Sequence, residues 1–313
     1  MKVRVVALSI LIIAIVFACA TPTQVLGRIA ALDEPPKHEI QGWHLAKIMA
    51  PQAWQITTGE QDIIIAILDT GIDQNHPDLA GKVISSVNFT QSPTTDDING
   101  HGTHIAGIIA AAADSTSSGG VAHKCSLLNV KVADDNGWCT SEAVAKGIIW
   151  AVEKGAKVIN ISLTITSPTP SLEEAVSYAW SRGAVIVAAA GNNYNSKPVY
   201  PAAYPSVIAV AATNQDDELP PWSNHGSWVS LGSPGVDIYS TFPHGQHGYQ
   251  SGTSTATAIV SGEAALLFTV TDDENGNGRL NDEVRDRIES GSDLIGLKEL
   301  KIGRINILKA LTK

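Results

Sequence analysis

The amino-acid sequence predicts a three-layer α/β fold, in which a mostly parallel sheet is covered by helices on both faces. Continuous apolar runs of strand length alternate along the chain with segments of helical pattern. Strands that are apolar at every position are typical of parallel sheets with both faces covered, and the alternation with helices is typical of the same class. The 313 residues, 44% hydrophobic and 17% charged, suit one large domain or two small ones behind a targeting segment.

The predicted elements follow in order from the first buried strand, which is rich in β-branched residues. Strands are expected at residues 63–68, 127–132, 158–161, 184–190 and 207–212, and helices at residues 105–113, 141–153 and 282–289. A further helix is expected to open at Ser171 and to end at Gly183, because Ser171 and Glu174 have the spacing of a capping box.

Residues 1–20 are predicted to be a signal peptide. Lys2 and Arg4 precede an apolar run over residues 5–18, which is shorter than the roughly 20 residues of a spanning helix. Cys19 stands between two alanines that fit a cleavage site, but residues 16–19 also resemble the lipobox of bacterial lipoproteins. Release by cleavage and membrane attachment through a lipidated Cys19 both remain open here, and both predict export, either as a secreted protein or anchored at the cell surface.

Residues 21–42 are predicted to be a linker or a short propeptide, and residues 43–313 the folded domain. The net charge of −10 offers no basic surface, so we expect no nucleic-acid partner. Cys125 and Cys139 flank a predicted strand, whose ends lie ~20 Å apart at about 3.3 Å per residue. A disulfide tolerates roughly 7 Å between Cα atoms, so we expect two free thiols.

Polar residues stand directly after two predicted strands and at the start of one predicted helix. Asp69 follows the first strand, Asn192 follows the strand at residues 184–190, and His101 opens the helix after residue 100. Ligands of parallel sheets bind beyond the carboxyl ends of the strands, which makes these positions candidates for chemistry. Taken singly, each residue has an ordinary explanation as a turn former or a helix-start residue.

Taken together with Ser254, these residues supply the groups of an acyl-transfer site. A serine hydroxyl is a weak nucleophile near neutral pH and needs an imidazole to accept its proton, which His101 would provide. The carboxylate of Asp69 would hold the imidazole tautomer and stabilise the imidazolium. Ser254 stands at a predicted helix start, where its own backbone N–H and the helix dipole would favour a developing oxyanion.

The motifs resemble those of the subtilisin family of serine endopeptidases. They are ILDTGID (67–73), HPDL (76–79), NGHGTHIAG (99–107), VAAAGN (187–192) and GTSTATAIVSG (252–262). The resemblance implies a subtilisin-like peptidase domain over residues 43–313, which hydrolyses protein or peptide substrates through an acyl-enzyme; we expect a monomer. It further implies that Asp69, His101 and Ser254 form the catalytic triad, that Asn192 is the oxyanion donor, and that His104 is not catalytic.

The sequence departs from the family at the segment Ser162, Leu163, Thr164 and Ile165, where relatives commonly have Ser-Leu-Gly-Gly as a wall of the substrate cleft. The bulk of Thr164 and Ile165 predicts a narrower primary specificity pocket. About twenty residues between Ala20 and Trp43 are too few for a folded pro-domain. A binding or scaffold protein of weak activity is the alternative function. A lipase lacks support because no Gly-x-Ser-x-Gly motif is present and the triad order differs.

Calcium is the one cofactor expected, with a structural role. The resemblance implies a site near the N-terminus to which Asp78 and Asp114 contribute, although both also fit turn or helix-end positions. A second candidate is the Asp-x-Asn-x-Asn-Gly opening of an EF-hand-type loop at Asp273, Asn275 and Asn277. The twelfth position of that loop is Val284, with Glu283 one residue short, so a polar turn before the next helix is the alternative.

Overall fold

The computed structural model describes residues 42–113, 119–295 and 302–313. The predicted signal peptide, Cys19 and nearly all of the predicted linker lie outside the described residues, as does Asp114. The predictions made for them therefore stay predictions.

Nine strands of the described residues form one sheet, and two more form a separate hairpin. The strands are β1 (Ile64–Asp69), β2 (Val83–Asn88), β3 (Ser126–Lys131), β4 (Val158–Ile161), β5 (Val185–Ala189), β6 (Val207–Thr213), β7 (Leu231–Pro234), β8 (Ile238–Phe242), β9 (Gln246–Gln250), β10 (Asp293–Leu294) and β11 (Gly303–Arg304). The sheet order is β10-β11-β7-β6-β5-β4-β1-β3-β2, and β8 pairs with β9. Only the β10–β11 and β8–β9 pairs of the described strands are antiparallel.

The helices of the described residues surround this sheet. They are α1 (Trp43–Lys47), α2 (Ala50–Ala53), α3 (His101–Ala110), α4 (Ser141–Glu153), α5 (Pro170–Ser181), α6 (Thr253–Leu267), α7 (Asn281–Gly291) and α8 (Ile307–Leu311), with a 3₁₀ helix at Pro77–Leu79. None of these helices is long and apolar enough to cross a membrane.

Alternate residues of the central strand β1 enter two different cores. Ile65 and Ile67 belong to the core that also holds residues of α1, α2, α3, α6, α7 and α8. Ala66 and Leu68 belong to the core that holds residues of α4 and α5. Because neighbouring side chains of a strand point to opposite faces, helices cover both sides of the sheet. The predicted three-layer architecture is confirmed.

One predicted helix start is wrong, and one apolar run marks only part of its helix. Helix α3 begins at His101, as the position of that histidine predicted, so the run at residues 105–113 covers only its later part; Gly100 adopts a left-handed φ of 94° and leads the chain directly into the helix. Helix α5 begins at Pro170, and its N-cap Thr169 makes no side-chain capping bond. Proline is favoured in the first helical position, so Ser171 already lies inside the helix and forms no capping box.

Several other predicted elements are confirmed, and the structure adds strands that were not predicted. Strand β4 and helix α4 have the predicted bounds, and Cys125 and Cys139 are free thiols as expected. The short or polar strands β2 and β7–β11 were not predicted, since their sequences lack a continuous apolar run.

The sheet order places a crevice beside the end of β1. Strand β1 pairs with β3 on one side and with β4 on the other, so the chain connections diverge at this point of the sheet. In open α/β sheets such a switch point, beyond the carboxyl ends of the strands, is where ligands bind. Asp69 is the last residue of β1 and Ser162 directly follows β4.

Candidate active site

Asp69 and His101 form a buried hydrogen-bonded pair at this crevice. Asp69 ends β1 and His101 begins α3, and the imidazole Nδ1 lies 2.7 Å from the Asp69 Oδ1. The approach of the two elements depends on Gly102, because a Cβ at this position would stand 2.0 Å from the carbonyl oxygen of Gly71. The glycine of the His-Gly-Thr motif therefore lets the first turn of α3 rest against the end of β1.

The electrostatic surroundings of His101 favour its protonated form. Burial alone would lower the pKa of His101, but the negative charge and hydrogen bond of Asp69, with a smaller contribution from Asp97, outweigh it and raise the pKa above the ordinary value of 6.5. The carboxylate of Asp69 also accepts the Thr70 N–H at 2.7 Å through the same oxygen. The imidazolium that a general base becomes is thus stabilised where it forms.

Ser254 is the second residue of α6 and faces the same crevice. His101, Asn192 and Ser254 line one small cleft, together with Gln250, Ser251, Gly252 and Thr255. The Ser254 hydroxyl donates to the carbonyl oxygen of Ser162 at 3.1 Å. Catalytic hydrogen bonds commonly tighten only when substrate is bound, and rotation of the hydroxyl would direct its proton elsewhere.

Asn192 is held with its amide nitrogen toward the cleft. Its Oδ1 accepts both the backbone N–H and the hydroxyl of Thr253, each at 2.9 Å. Its Nδ2 consequently lies beside Gly252, 3.4 Å from where a Cβ would stand there. Thr253 therefore orients the predicted oxyanion donor.

Asp97 is a buried carboxylate near the site that sequence reasoning missed. Its Oδ1 accepts the Thr70 hydroxyl and the Gly100 N–H, both at 2.8 Å, and its Oδ2 accepts the Thr103 N–H at 2.7 Å. Burial raises the pKa of Asp97, opposed by these hydrogen bonds. The carboxylate thus joins the start of α3 to the residue after β1. The sequence signal that could have identified Asp97 was an acidic residue shortly before a helix start, because the helix dipole favours negative charge there.

His104 has a structural role. Its Nε2 donates to the carbonyl oxygens of Ile238 and Gly248, at 3.1 and 3.3 Å. Burial lowers the pKa of His104 to about 3, with a further lowering by His101. The side chain is therefore neutral and ties α3 to the β8–β9 hairpin.

The predicted cleft wall stands next to the site. Leu163 is buried, and the Thr164 Cγ2 lies 3.5 Å from the position that a Cβ would take at Gly191, the residue before Asn192. The backbone of Ile165 exchanges two 2.8 Å hydrogen bonds with Tyr200. The segment is therefore anchored beside Asn192 and does not swing outward.

The residues predicted to bind calcium differ in their surroundings. The Asp78 carboxylate lies 2.8 Å from the His247 Nε2, and its backbone N–H donates to His76 Nδ1. Among the described residues this is an imidazole environment, whereas calcium requires oxygen ligands, so the described part of this site does not fit calcium. Asp273, Asn275 and Asn277 lie together in the loop before α7. No group of three His, Cys, Asp or Glu side chains in the described residues could hold a metal ion.

The family model described as the Subtilase family (Peptidase S8) matches residues 60–291, which include Asp69, His101, Asn192 and Ser254. The chain belongs to the subtilase family. The resemblance of the motifs to this family is confirmed, and this subtilase is a serine-type endopeptidase.

Three similar proteins indicate how far the likeness extends. Thermitase of Thermoactinomyces vulgaris is 47% identical over 270 residues, which are 85% of this chain and 94% of thermitase. The thermophilic serine proteinase of Bacillus sp. strain AK1 is 45% identical over 264 residues, 83% of this subtilase and 64% of that protein. Subtilisin BL of Lederbergia lenta is 40% identical over 226 residues, 72% of this subtilase and 83% of the relative.

Proposed function

We propose that this subtilase hydrolyses peptide bonds of protein substrates through an acyl-enzyme formed on Ser254. The observation that carries the proposal is the 2.7 Å Asp69–His101 pair in a cleft shared with Ser254 and Asn192. Each residue has the chemistry that one step of acyl transfer requires.

In the first half-reaction, the Ser254 Oγ attacks the scissile carbonyl carbon while the His101 Nε2 takes its proton. The oxyanion of the tetrahedral intermediate accepts hydrogen bonds from the Asn192 Nδ2 and the Ser254 backbone N–H at the start of α6. His101 then gives the proton to the leaving amine as the C–N bond breaks. Asp69 stays ionised and holds Nδ1–H toward itself.

In the second half-reaction, water attacks the acyl carbon while His101 takes a proton from it. The same oxyanion donors stabilise the second tetrahedral intermediate. His101 returns the proton to the Ser254 Oγ as the ester bond breaks, which releases the carboxylic acid and restores the enzyme.

The test compares casein hydrolysis by the wild type and by Ser254→Ala. We expect kcat to fall by roughly six orders of magnitude, the loss known for the nucleophilic serine of subtilisin itself. Ser261→Ala is the matched control, because Ser261 lies two turns further along α6 and bonds Asn160, at 2.9 Å. Equal activity of wild type and Ser254→Ala would end the proposal. Failure of a fluorophosphonate probe to label Ser254 in folded protein would favour the alternative, a binding or scaffold protein.

The cellular context is proposed from the sequence of the N-terminal region. We propose that residues 1–20 direct export, that residues 43–313 form a monomeric peptidase domain, and that the mature protein is either secreted or lipid-anchored through Cys19. Mass spectrometry of the mature N-terminus distinguishes the two: an acylated Cys19 supports the anchor, and an unmodified N-terminus after Ala20 supports release.

A further inference from the structure

The loop that carries Asn192 is held on both sides of this residue by one asparagine from a distant segment. We propose that Asn224 is a positioning residue, which fixes the backbone around Asn192 so that the Asn192 Nδ2 meets the developing oxyanion. This inference rests on the proposed function, in which Asn192 is an oxyanion donor. Asn224 lies between β6 and β7, is wholly buried, and belongs to none of the motifs that predicted the site residues.

Asn224 makes hydrogen bonds to the backbone before and after the predicted oxyanion donor. On the side before it, the Asn224 Nδ2 and the Asn224 backbone N–H donate to the carbonyl oxygens of Ala190 and Gly191, each at 2.8 Å. On the side after it, the Asn224 Oδ1 accepts the backbone N–H groups of Asn193 at 3.0 Å and Asn195 at 3.2 Å. The chain that enters the donor residue and the chain that leaves it are therefore bound to the same side chain.

This network requires a side chain that donates and accepts hydrogen bonds at the same time. A primary amide does both, whereas an ionised carboxylate only accepts. The partners determine which way the amide is turned, because the reverse orientation would set its Nδ2 against two N–H donors and its Oδ1 against a carbonyl oxygen. Residues 190–195 follow β5 and form neither helix nor strand, so their backbone groups depend on partners of this kind.

The loop lies in close contact with the Asn224 side chain. Gly191 has a φ of 97°, and a Cβ at this position would stand 2.6 Å from the Asn224 Nδ2, so only glycine fits here. Asn224 is in turn bound to the sheet through Ser223. The Ser223 hydroxyl donates to the Asn224 carbonyl oxygen at 3.3 Å and accepts the N–H of Ala212 in β6 at 3.1 Å. The position of the loop is thereby referred to the central sheet.

Asn224 and Thr253 hold different parts of Asn192. Thr253 holds the side-chain oxygen of Asn192, and the Thr253 hydroxyl also accepts the Gly191 N–H at 3.0 Å. Asn224 holds the backbone. An oxyanion donor contributes most when it is already directed at the site where charge develops, because no reorganisation is then needed during the reaction. Loss of Asn224 should therefore weaken binding of the tetrahedral intermediate more than binding of the substrate.

The test is a double-variant cycle of Asn224→Ala and Asn192→Ala, with kcat and KM measured separately on a peptide substrate. Asn192→Ala should lower kcat by roughly 10²- to 10³-fold, the loss known for an oxyanion-hole asparagine of subtilisin. Asn224→Ala should lower kcat by roughly 10- to 100-fold, as a misplacement of about 1 Å does, and should change KM little. In protein that already carries Asn192→Ala, the same change should lower kcat by less than about three-fold, because no donor amide is left to position.

Trp228→Phe is the matched control, because the Trp228 Nε1 donates to the Ser196 carbonyl oxygen of the same loop at 3.0 Å, beyond the part that Asn224 holds. It should leave kcat unchanged. Circular dichroism checks that each variant is folded. If Asn224→Ala is unfolded, Asn224→Asp takes its place in the cycle, since it keeps the size of the side chain and an acceptor oxygen but replaces the donor to Ala190.

Two results would overturn the proposal and leave the proposed function in place. One is a loss of kcat in Asn192→Ala without a loss in the Asn224 variant, and the other is an equal loss from the Asn224 variant with and without Asn192→Ala, which a merely structural role would give. An equal loss in Trp228→Phe would also overturn it, because any loosening of the loop would then have the same effect. Wild-type kcat in Asn192→Ala would remove the oxyanion donor from the proposed function and overturn this proposal with it.

Discussion

Two opposing effects set the pKa of His101. Burial lowers this pKa, and the Asp69 carboxylate raises it by more than burial lowers it. In the proposed mechanism the neutral imidazole is the general base, so kcat/KM should fall as pH drops through the pKa of His101 in the free enzyme. We expect the midpoint of this acid limb to lie above 6.5. The measurement is kcat/KM for a peptide substrate from pH 5 to pH 9, and a flat profile would rule out histidine general-base catalysis.

Asp97 should change the pH of this acid limb although it lies outside the proposed triad. Asp97→Asn keeps the shape of the side chain but removes a negative charge that raises the pKa of His101, so the limb should shift to lower pH. Its amide also cannot accept all three hydrogen bonds, which should cost roughly 1–3 kcal/mol of stability. Asp96→Asn is the control, since Asp96 is the exposed neighbour. An unshifted limb in Asp97→Asn would restrict Asp97 to a structural role.

At the scale of elements, the segment after β4 determines the shape of the cleft. Thr164 packs beside Gly191, and the Ile165 backbone is paired with Tyr200. The backbone of this segment therefore cannot move away from its place beside Asn192 without breaking the pairing with Tyr200. The predicted narrow primary pocket is consistent with this anchoring and remains a prediction.

We expect wild-type enzyme to prefer small or slender side chains before the scissile bond over Phe and Tyr. Thr164→Gly with Ile165→Gly should restore aromatic cleavage by roughly 10- to 100-fold in kcat/KM, the range that apolar pocket contacts of about 1–3 kcal/mol supply. Thr164→Gly is also measured alone, because Ile165 packs against the core and its replacement by glycine should in addition lower stability. Thr166→Gly, at an exposed position of the same segment, is the control. A wild-type peptide-library profile led by Phe or Tyr would show that the steric argument is wrong.

At the scale of the whole molecule, one buried acid should make global stability depend on pH. Glu263 lies within α6 with both carboxylate oxygens buried and without a partner among the described residues. Burial raises the pKa of Glu263 from 4.5 to about 8. Between these values the unfolded chain has released the proton that the folded protein keeps. The free energy of unfolding should therefore fall as pH rises from about 4.5 to about 8, by up to ~1.4 kcal/mol per pH unit.

Glu263→Met replaces the acid by an apolar side chain of similar length and should remove this contribution. Urea unfolding of the Ser254→Ala protein at several pH values, with and without Glu263→Met, measures it. Compared with the Ser254→Ala parent, the protein that also carries Glu263→Met should be more stable at pH 8 and about equally stable at pH 4.5. Glu174→Gln, at an exposed position of α5, is the control and should leave the slope unchanged. An equal pH slope with and without Glu263→Met would contradict the expectation.

The sequence alone predicted the layers and the central strands, because both depend on local patterns. Continuous apolar runs identified β1, β3, β4, β5 and β6 to within a residue or so. Strands β10 and β11 have two residues each, and both depend on pairing with another segment, β10 with β11 and β11 also with β7, which no local pattern records. The predicted opening of α5 at Ser171 was wrong, because Pro170 already occupies the first position of the helix.

The sequence by itself determined the family, and it predicted Asp69, His101, Asn192 and Ser254 as site residues, because each stands in a motif whose chemistry can be inferred from neighbouring residues. Only the tertiary structure decided that Asp97 links α3 to the end of β1 and that Thr253 orients Asn192. It also decided that Glu283, and not Val284, turns back into the loop before α7. The physical reason is that a hydrogen bond or an oriented carboxylate depends on distances between residues remote in sequence or on which side of a helix faces the core. The periodicity and motif spacing of the sequence give neither these distances nor the direction in which such a side chain points.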